Sequence, residues 1–120
     1  MQSIYNFTDI YLYRDPIDFR KSINGLAAIV CQSMANNLSR TDCLFVFSDR
    51  YRHRIKILYW DKTGLALWYK RLERNKFCWP KNADQEIVTL DAQSLEWLLE
   101  GIDLRAIRRH PVLPGYEYVF

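Results

Sequence analysis

The chain is poor in glycine, proline, cysteine and histidine, and each shortage removes a class of function. Its four glycines form neither a GxGxxG nor a P-loop arrangement, so neither nucleotide-binding loop is present. Cys31, Cys43 and Cys78 are odd in number and contain no CxxC pair. That pattern speaks against a disulfide framework and a zinc site and fits reduced thiols in a cytoplasm, each packed as a small hydrophobe. No apolar run approaches the ~18 residues that cross a bilayer, so no membrane partner is expected. The N-terminal MQSIYNFTDIYLYRD lacks the basic and apolar regions of a signal peptide. Of the two histidines, His53 lies in a basic cluster, a poor place to bind a cation, and His110 precedes Pro111. Both read as surface residues. Ser22, Ser39 and Ser94 have no nucleophile-elbow context. The carboxylates Asp9, Asp42, Asp49, Asp61, Asp84 and Glu86 show no spacing that brings them together for metal-dependent chemistry. No catalytic residue, metal or cofactor is expected, and the chain does not read as an enzyme.

What is present is a core-forming composition and an uneven charge. With 49% apolar and 26% charged residues, the 120-residue chain fits one globular domain, residues 1–120. The net charge of +3 conceals a division. Residues 1–48 carry four cations and four carboxylates, residues 49–82 carry ten and three, and residues 83–120 carry three and seven. A basic block followed by an acidic region suggests a polyanionic partner or an internal charge match.

Patterning predicts an α+β domain: a small antiparallel β-sheet around Leu44–Asp61, packed by two or three helices. DIYLYRD reads as a short strand. A helix is expected over Pro16–Met34, with Asp15 as N-cap, Pro16 in the first turn and Phe19, Ile23, Leu26 and Val30 as the buried stripe. Gly25 within that stripe suggests a close packing contact. CLFVF is a fully apolar run of strand length. RIKILYWD alternates, with Ile55, Ile57 and Tyr59 on one face and Lys56, Leu58 and Trp60 on the other, and the two runs form a hairpin through the turn-like SDRYRH. DKTG is a further turn. In LALWYKRLERN, Leu65, Trp68, Tyr69 and Leu72 have helical spacing while Leu65, Leu67 and Tyr69 alternate as in a strand. Both remain open for residues 65–75, and the helix is preferred. Ile87–Leu90 reads as a strand. The helix Ala92–Glu100 follows, with Asp91 as N-cap, Leu95, Leu98 and Leu99 inward and Gly101 as its stop. RHPVLPGYEYVF is a proline-punctuated tail.

The basic block has two readings. Arg52, Arg54 and Lys56, alternating along a strand, would form a row of cations ~7 Å apart, near the phosphate repeat of one nucleic-acid strand. Arg50, Lys70, Arg71, Arg74 and Lys76 would extend it. Trp60, Trp68 and Trp79 would stack on unpaired bases if exposed, but core packing is the preferred reading for the indoles. On this view, changing Arg52, Arg54 and Lys56 to Glu abolishes DNA binding and leaves the melting temperature nearly unchanged. Arg20 and Lys21 allow two explanations: ion pairing, for instance Arg20 with Asp15, with Asp18 or with the acidic C-terminal third, or a second contact to phosphate or to a protein partner.

Three blocks carry a family resemblance. RKSINGL, Arg20–Leu26, is followed by FSDRYRHRIKILYWD, Phe47–Asp61, and by KRLERNKFCWP, Lys70–Pro80. Together they resemble the TnpB accessory proteins, the Orf2-like second reading frame of the IS-sixty-six group of bacterial insertion sequences, across roughly residues 10–100. Where that family usually has a glycine, this chain has Asn75, a residue that tolerates the left-handed conformation. The resemblance implies a non-catalytic helper of DNA transposition, encoded beside a separate transposase. The expected partners are therefore the DNA of insertion-sequence ends, the element's transposase and its other accessory protein. A protein–protein adaptor, whose basic block docks an acidic surface without touching DNA, is the alternative. The chain lacks the length and acidic core of the RNA-guided nucleases that share the TnpB name.

Overall fold

The apolar run that reads CLFVFS becomes the middle of the sheet, where both faces are covered. The computed structural model describes residues 2–34, 40–80 and 85–101. Within them, five strands stand in the order β4-β3-β2-β1-β5. They are β1 (Asp9–Tyr13), β2 (Cys43–Ser48), β3 (Arg54–Asp61), β4 (Gly64–Arg71) and β5 (Ile87–Leu90). Helix α1 (Ile23–Ile29), prolonged by wider π-type turns over Val30–Met34, lies on one face. Helix α2 (Ala92–Leu99) lies on the other. The period-2 alternation of side chains splits each strand between two cores. Ile10, Leu12, Leu44, Val46, Ile55 and Ile57 meet Leu95, Leu98 and Leu99 of α2, together with Phe77 and Trp79. Cys43, Phe45, Phe47 and Leu58 meet Leu26 of α1 and Val30 of the turns that prolong it, together with Ile17.

The α+β class holds, and the sheet within it is mixed. Antiparallel pairing joins β2 to β3, β3 to β4 and β1 to β5, whereas β1 and β2 run parallel. The parallel pair requires a crossover, and residues 14–42 with α1 supply it.

Two expectations need correction. Residues 64–71 form a strand, not a helix: Asp61 and Gly64 pair across the Lys62–Thr63 turn, and the ladder continues to Arg54 opposite Arg71. Eight residues of backbone pairing with β3 outweigh the helical spacing of Leu65, Trp68 and Tyr69. The first helix begins at Ile23, with Ser22 rather than Asp15 at its N-cap. The segment after Pro16 is drawn away because the Ile17 side chain is buried and its N–H donates to the Ser48 carbonyl at 3.0 Å. Leu26 and Val30 still form the buried stripe, and Phe19 packs against it from outside the helix.

The remaining capping and glycine signals hold where the structure describes them. The Asp91 carboxylate accepts from the Ser94 N–H at 2.7 Å, and Gly101 ends α2 at φ 81°. Asn75 takes φ 64°, the conformation a glycine would otherwise supply. A Cβ on Gly25 would stand 3.1 Å from the Lys21 Cβ, so the helix start passes closely over that side chain. Cys43 is buried, and burial pushes its thiol up to about 11, but Cys31 is exposed and does not pack as a hydrophobe. The tail with His110, residues 81–84 with Asp84, and residues 35–39 lie outside the described residues. Among the described residues no helix is long and apolar enough to cross a membrane.

Candidate functional site: the basic end of the sheet

Strand direction gathers the three blocks of the sequence at one end of the sheet. There β1, β2 and β4 finish and β3 begins. The Phe19–Ser22 loop, the Ser48–Arg54 turn and the chain from Leu72 to Pro80 all converge there. The Lys56 ammonium donates to the carbonyls of Phe19 and Lys21, both at 2.8 Å. The Leu72 N–H donates to the His53 carbonyl and the Phe77 N–H to the Arg52 carbonyl, both at 2.8 Å. The Trp79 indole N–H donates to the Arg14 carbonyl at 3.0 Å. The opposite end carries Asp9, Asp42, Asp61 and Asp91 beside Arg40 and Lys62. The domain is thus polarised in charge along its strands.

A buried aspartate organises the Ser48–Arg54 turn. The Asp49 side chain is 5% exposed. Its Oδ1 accepts from the N–H groups of His53 and Arg54 at 3.0 and 3.2 Å, and its Oδ2 accepts from Arg54 Nε at 2.9 Å. Burial pushes this carboxyl up, but the Arg54 guanidinium and the two backbone donors outweigh it and hold the group below its ordinary value. Arg52 within the turn has φ 61°, a left-handed conformation uncommon for a residue with a Cβ.

The expected row of Arg52, Arg54 and Lys56 on one strand face is absent. Arg52 precedes β3 and turns to the opposite side, over the Trp79 ring at 5.2 Å, with Nη2 donating to the Arg14 carbonyl at 3.1 Å. Burial lowers its pKa. Arg54 and Lys56 do share a face, both against the Phe19 ring at 4.9 and 4.7 Å. Lys56 is only 9% exposed, and burial, aided by the neighbouring Arg54 charge, lowers its pKa. These three cations build the fold, so changing them together to Glu removes the domain's own contacts and must lower the melting temperature. Lys70 is also turned inward, donating to the Leu99 carbonyl at the end of α2 at 2.7 Å.

Six of the predicted cations face solvent at or beside this end: Arg20, Lys21, Arg50, Arg71, Arg74 and Lys76. Arg20, 92% exposed, pairs with Asp18 through Nε at 2.9 Å, and that pairing holds the Asp18 carboxyl down to about 2. Arg71 pairs with Glu73 at 3.1 Å on the open surface. Trp79 is buried and Trp60 and Trp68 are half-buried, so the indoles mostly pack. Sequence reasoning missed an exposed aromatic at the tip of the turn: Tyr51, 60% exposed, with the Arg50 guanidinium over its ring, 5.6 Å from the centroid. Its position between two arginines in a turn-like segment was the available signal. Among the described residues, no three His, Cys, Asp or Glu side chains converge as metal ligands. What this end offers is positive charge, donor groups and the exposed rings of Tyr51 and Tyr69.

The family described as IS66 Orf2 like protein matches residues 8–109. Uncharacterized protein y4jC of Sinorhizobium fredii (strain NBRC 101917 / NGR234) is 32% identical over 103 residues, covering 86% of this chain and 86% of its own length. Uncharacterized protein y4hO of the same strain is 39% identical over 62 residues, 52% of this chain and 53% of its own. No solved structure matches.

Proposed function

From the premise that the chain belongs to the IS66 Orf2-like family of insertion-sequence accessory proteins, we propose that it assists transposition by binding the DNA of the element's ends, without itself cutting it. The observation that carries this reading is the collection of solvent-facing cations at one end of the sheet, on segments held rigid by Asp49, Lys56 and Trp79. Phosphates are recognised by such charges whatever the sequence, and each contact releases counterions, so affinity falls steeply with salt. Arg50, Arg74 and Lys76 are the phosphate contacts. The element's transposase is the protein partner in this reading, positioned on the same DNA.

The test is fluorescence anisotropy with an element-end duplex, titrated from about 50 to about 200 mM salt. Changing Arg50, Arg74 and Lys76 together to Ala should weaken binding and flatten the slope of log affinity against log salt by up to about three, one per lost phosphate contact. The melting temperature should stay unchanged. Wild-type affinity indifferent to salt and to the substitution overturns the reading. Absence of DNA binding combined with co-purification with the transposase establishes the adaptor role instead.

A further inference from the structure

We propose that Tyr51 is a stacking platform for an unpaired DNA base, so that this end of the sheet prefers DNA with single-stranded character over closed duplex. The inference rests on the DNA-binding reading above and specifies the form of DNA. Three observations lead to it. The Tyr51 ring is 60% exposed; of the described aromatic side chains only Tyr5, hydrogen-bonded to Glu96 at a distance from the basic end, is as open, and Tyr69 at 47% packs against Phe19. The turn that carries it is rigid: the buried Asp49 carboxylate fastens His53 and Arg54, and the Arg52 N–H donates to the Asp49 carbonyl at 3.3 Å. A turn backbone held in place loses little freedom on binding, which favours affinity. The chemistry around it is also suited to a nucleotide. The exposed Arg50 guanidinium lies over one face of the ring, 5.6 Å from its centroid, and the exposed His53 ring stands 6.4 Å away at a tilt of 59°, so a base stacked on the other face would have a cation close by for its phosphate. Bases in a closed duplex are already stacked on each other and leave no face for Tyr51. An unpaired base at a nick, a frayed end or a single strand presents one.

The experiment measures the ratio of affinities for a labelled single strand and for the blunt duplex of the same sequence, with full-length wild type, Tyr51→Ala and Tyr51→Phe. Tyr51→Ala is expected to lower that ratio about 5- to 150-fold, the span of one base–aromatic stack, and Tyr51→Phe is expected to keep it within about twofold, since the π-face remains. Duplex bound with a ratio that does not respond to Tyr51→Ala overturns the stacking proposal and leaves DNA binding standing. Wild type that binds neither DNA overturns both. A strand carrying 5-iododeoxyuridine, crosslinked by ultraviolet light to wild type, should place its adduct on the peptide containing Tyr51. An adduct mapped only to Trp60 or Trp68 also overturns the proposal.

Discussion

Lys56 and Lys76 belong to the same basic third of the chain, yet they do opposite work. Lys56 is enclosed, and its ammonium ties the Phe19–Lys21 loop to the sheet. Lys76 points into solvent. Arg54 and Arg74 repeat the contrast, one fastened to Asp49 and stacked on Phe19, the other exposed. A local excess of positive charge is therefore two populations. One stitches loops to strands, and only the other is available to a polyanion. Charge counted along a sequence overstates the surface field by the size of the first population.

Substitutions that exchange the two roles test this division, and their effects on stability should descend in order. Lys56→Glu, which turns a carboxylate toward two carbonyl oxygens and a ring face, should cost about 3–5 kcal/mol and be visible as a large loss in urea midpoint. Asp49→Ala should cost about 2–4 kcal/mol by releasing two N–H groups and the Arg54 guanidinium. The same carboxylate sets part of the acid response. Its folded pKa lies below the ordinary 3.8, so its contribution is fully present above that value and is lost as the pH falls through the folded value. Melting temperatures taken from neutral pH down to about pH 2 should decline less steeply below about pH 4 in Asp49→Asn than in wild type. Lys70→Ala, which leaves the Leu99 carbonyl without its donor, should cost about 1 kcal/mol. Arg20→Ala should leave the melting temperature unchanged, because Arg20 and its partner Asp18 sit in open water. A strong destabilisation by Arg20→Ala, or none by Lys56→Glu, would erase the distinction drawn between the two populations.

Much of the fold was legible because its signals are local. CLFVF had no polar position to turn outward, so it belonged in a sheet covered on both faces. Asp91 and Gly101 bracketed α2, and IVTL was bounded by polar residues. The errors arose where distant partners decide. Leu65–Arg71 satisfied two periodicities, and only pairing with β3 across a two-residue turn selected the strand. Asp15 and Pro16 are sound helix-start residues, but Ile17 was claimed by the end of β2. The candidate site was legible as a list of cations and not as a surface. Sorting Lys56 from Lys76 requires knowing that the carbonyls of residues 19 and 21 stand against β3, and no spacing within residues 49–82 contains that information.

Strand β1 precedes the other described strands in the sequence and is completed last. Both of its ladders join it to distant chain, Asp9–Leu12 to Cys43–Val46 on one side and Ile10–Tyr13 to Ile87–Leu90 on the other. At ordinary synthesis rates, about 4–15 s separate the emergence of its last residue from that of Leu90. Until Leu90 emerges, Ile10, Leu12 and the neighbouring tyrosines lack one of the two strands that pair with them in the folded domain. The β2–β3–β4 meander, whose partners are adjacent in sequence, closes within the same interval and offers β1 the first of those two strands. The order of translation thus makes the meander a template on which the earlier strand β1 is finally seated.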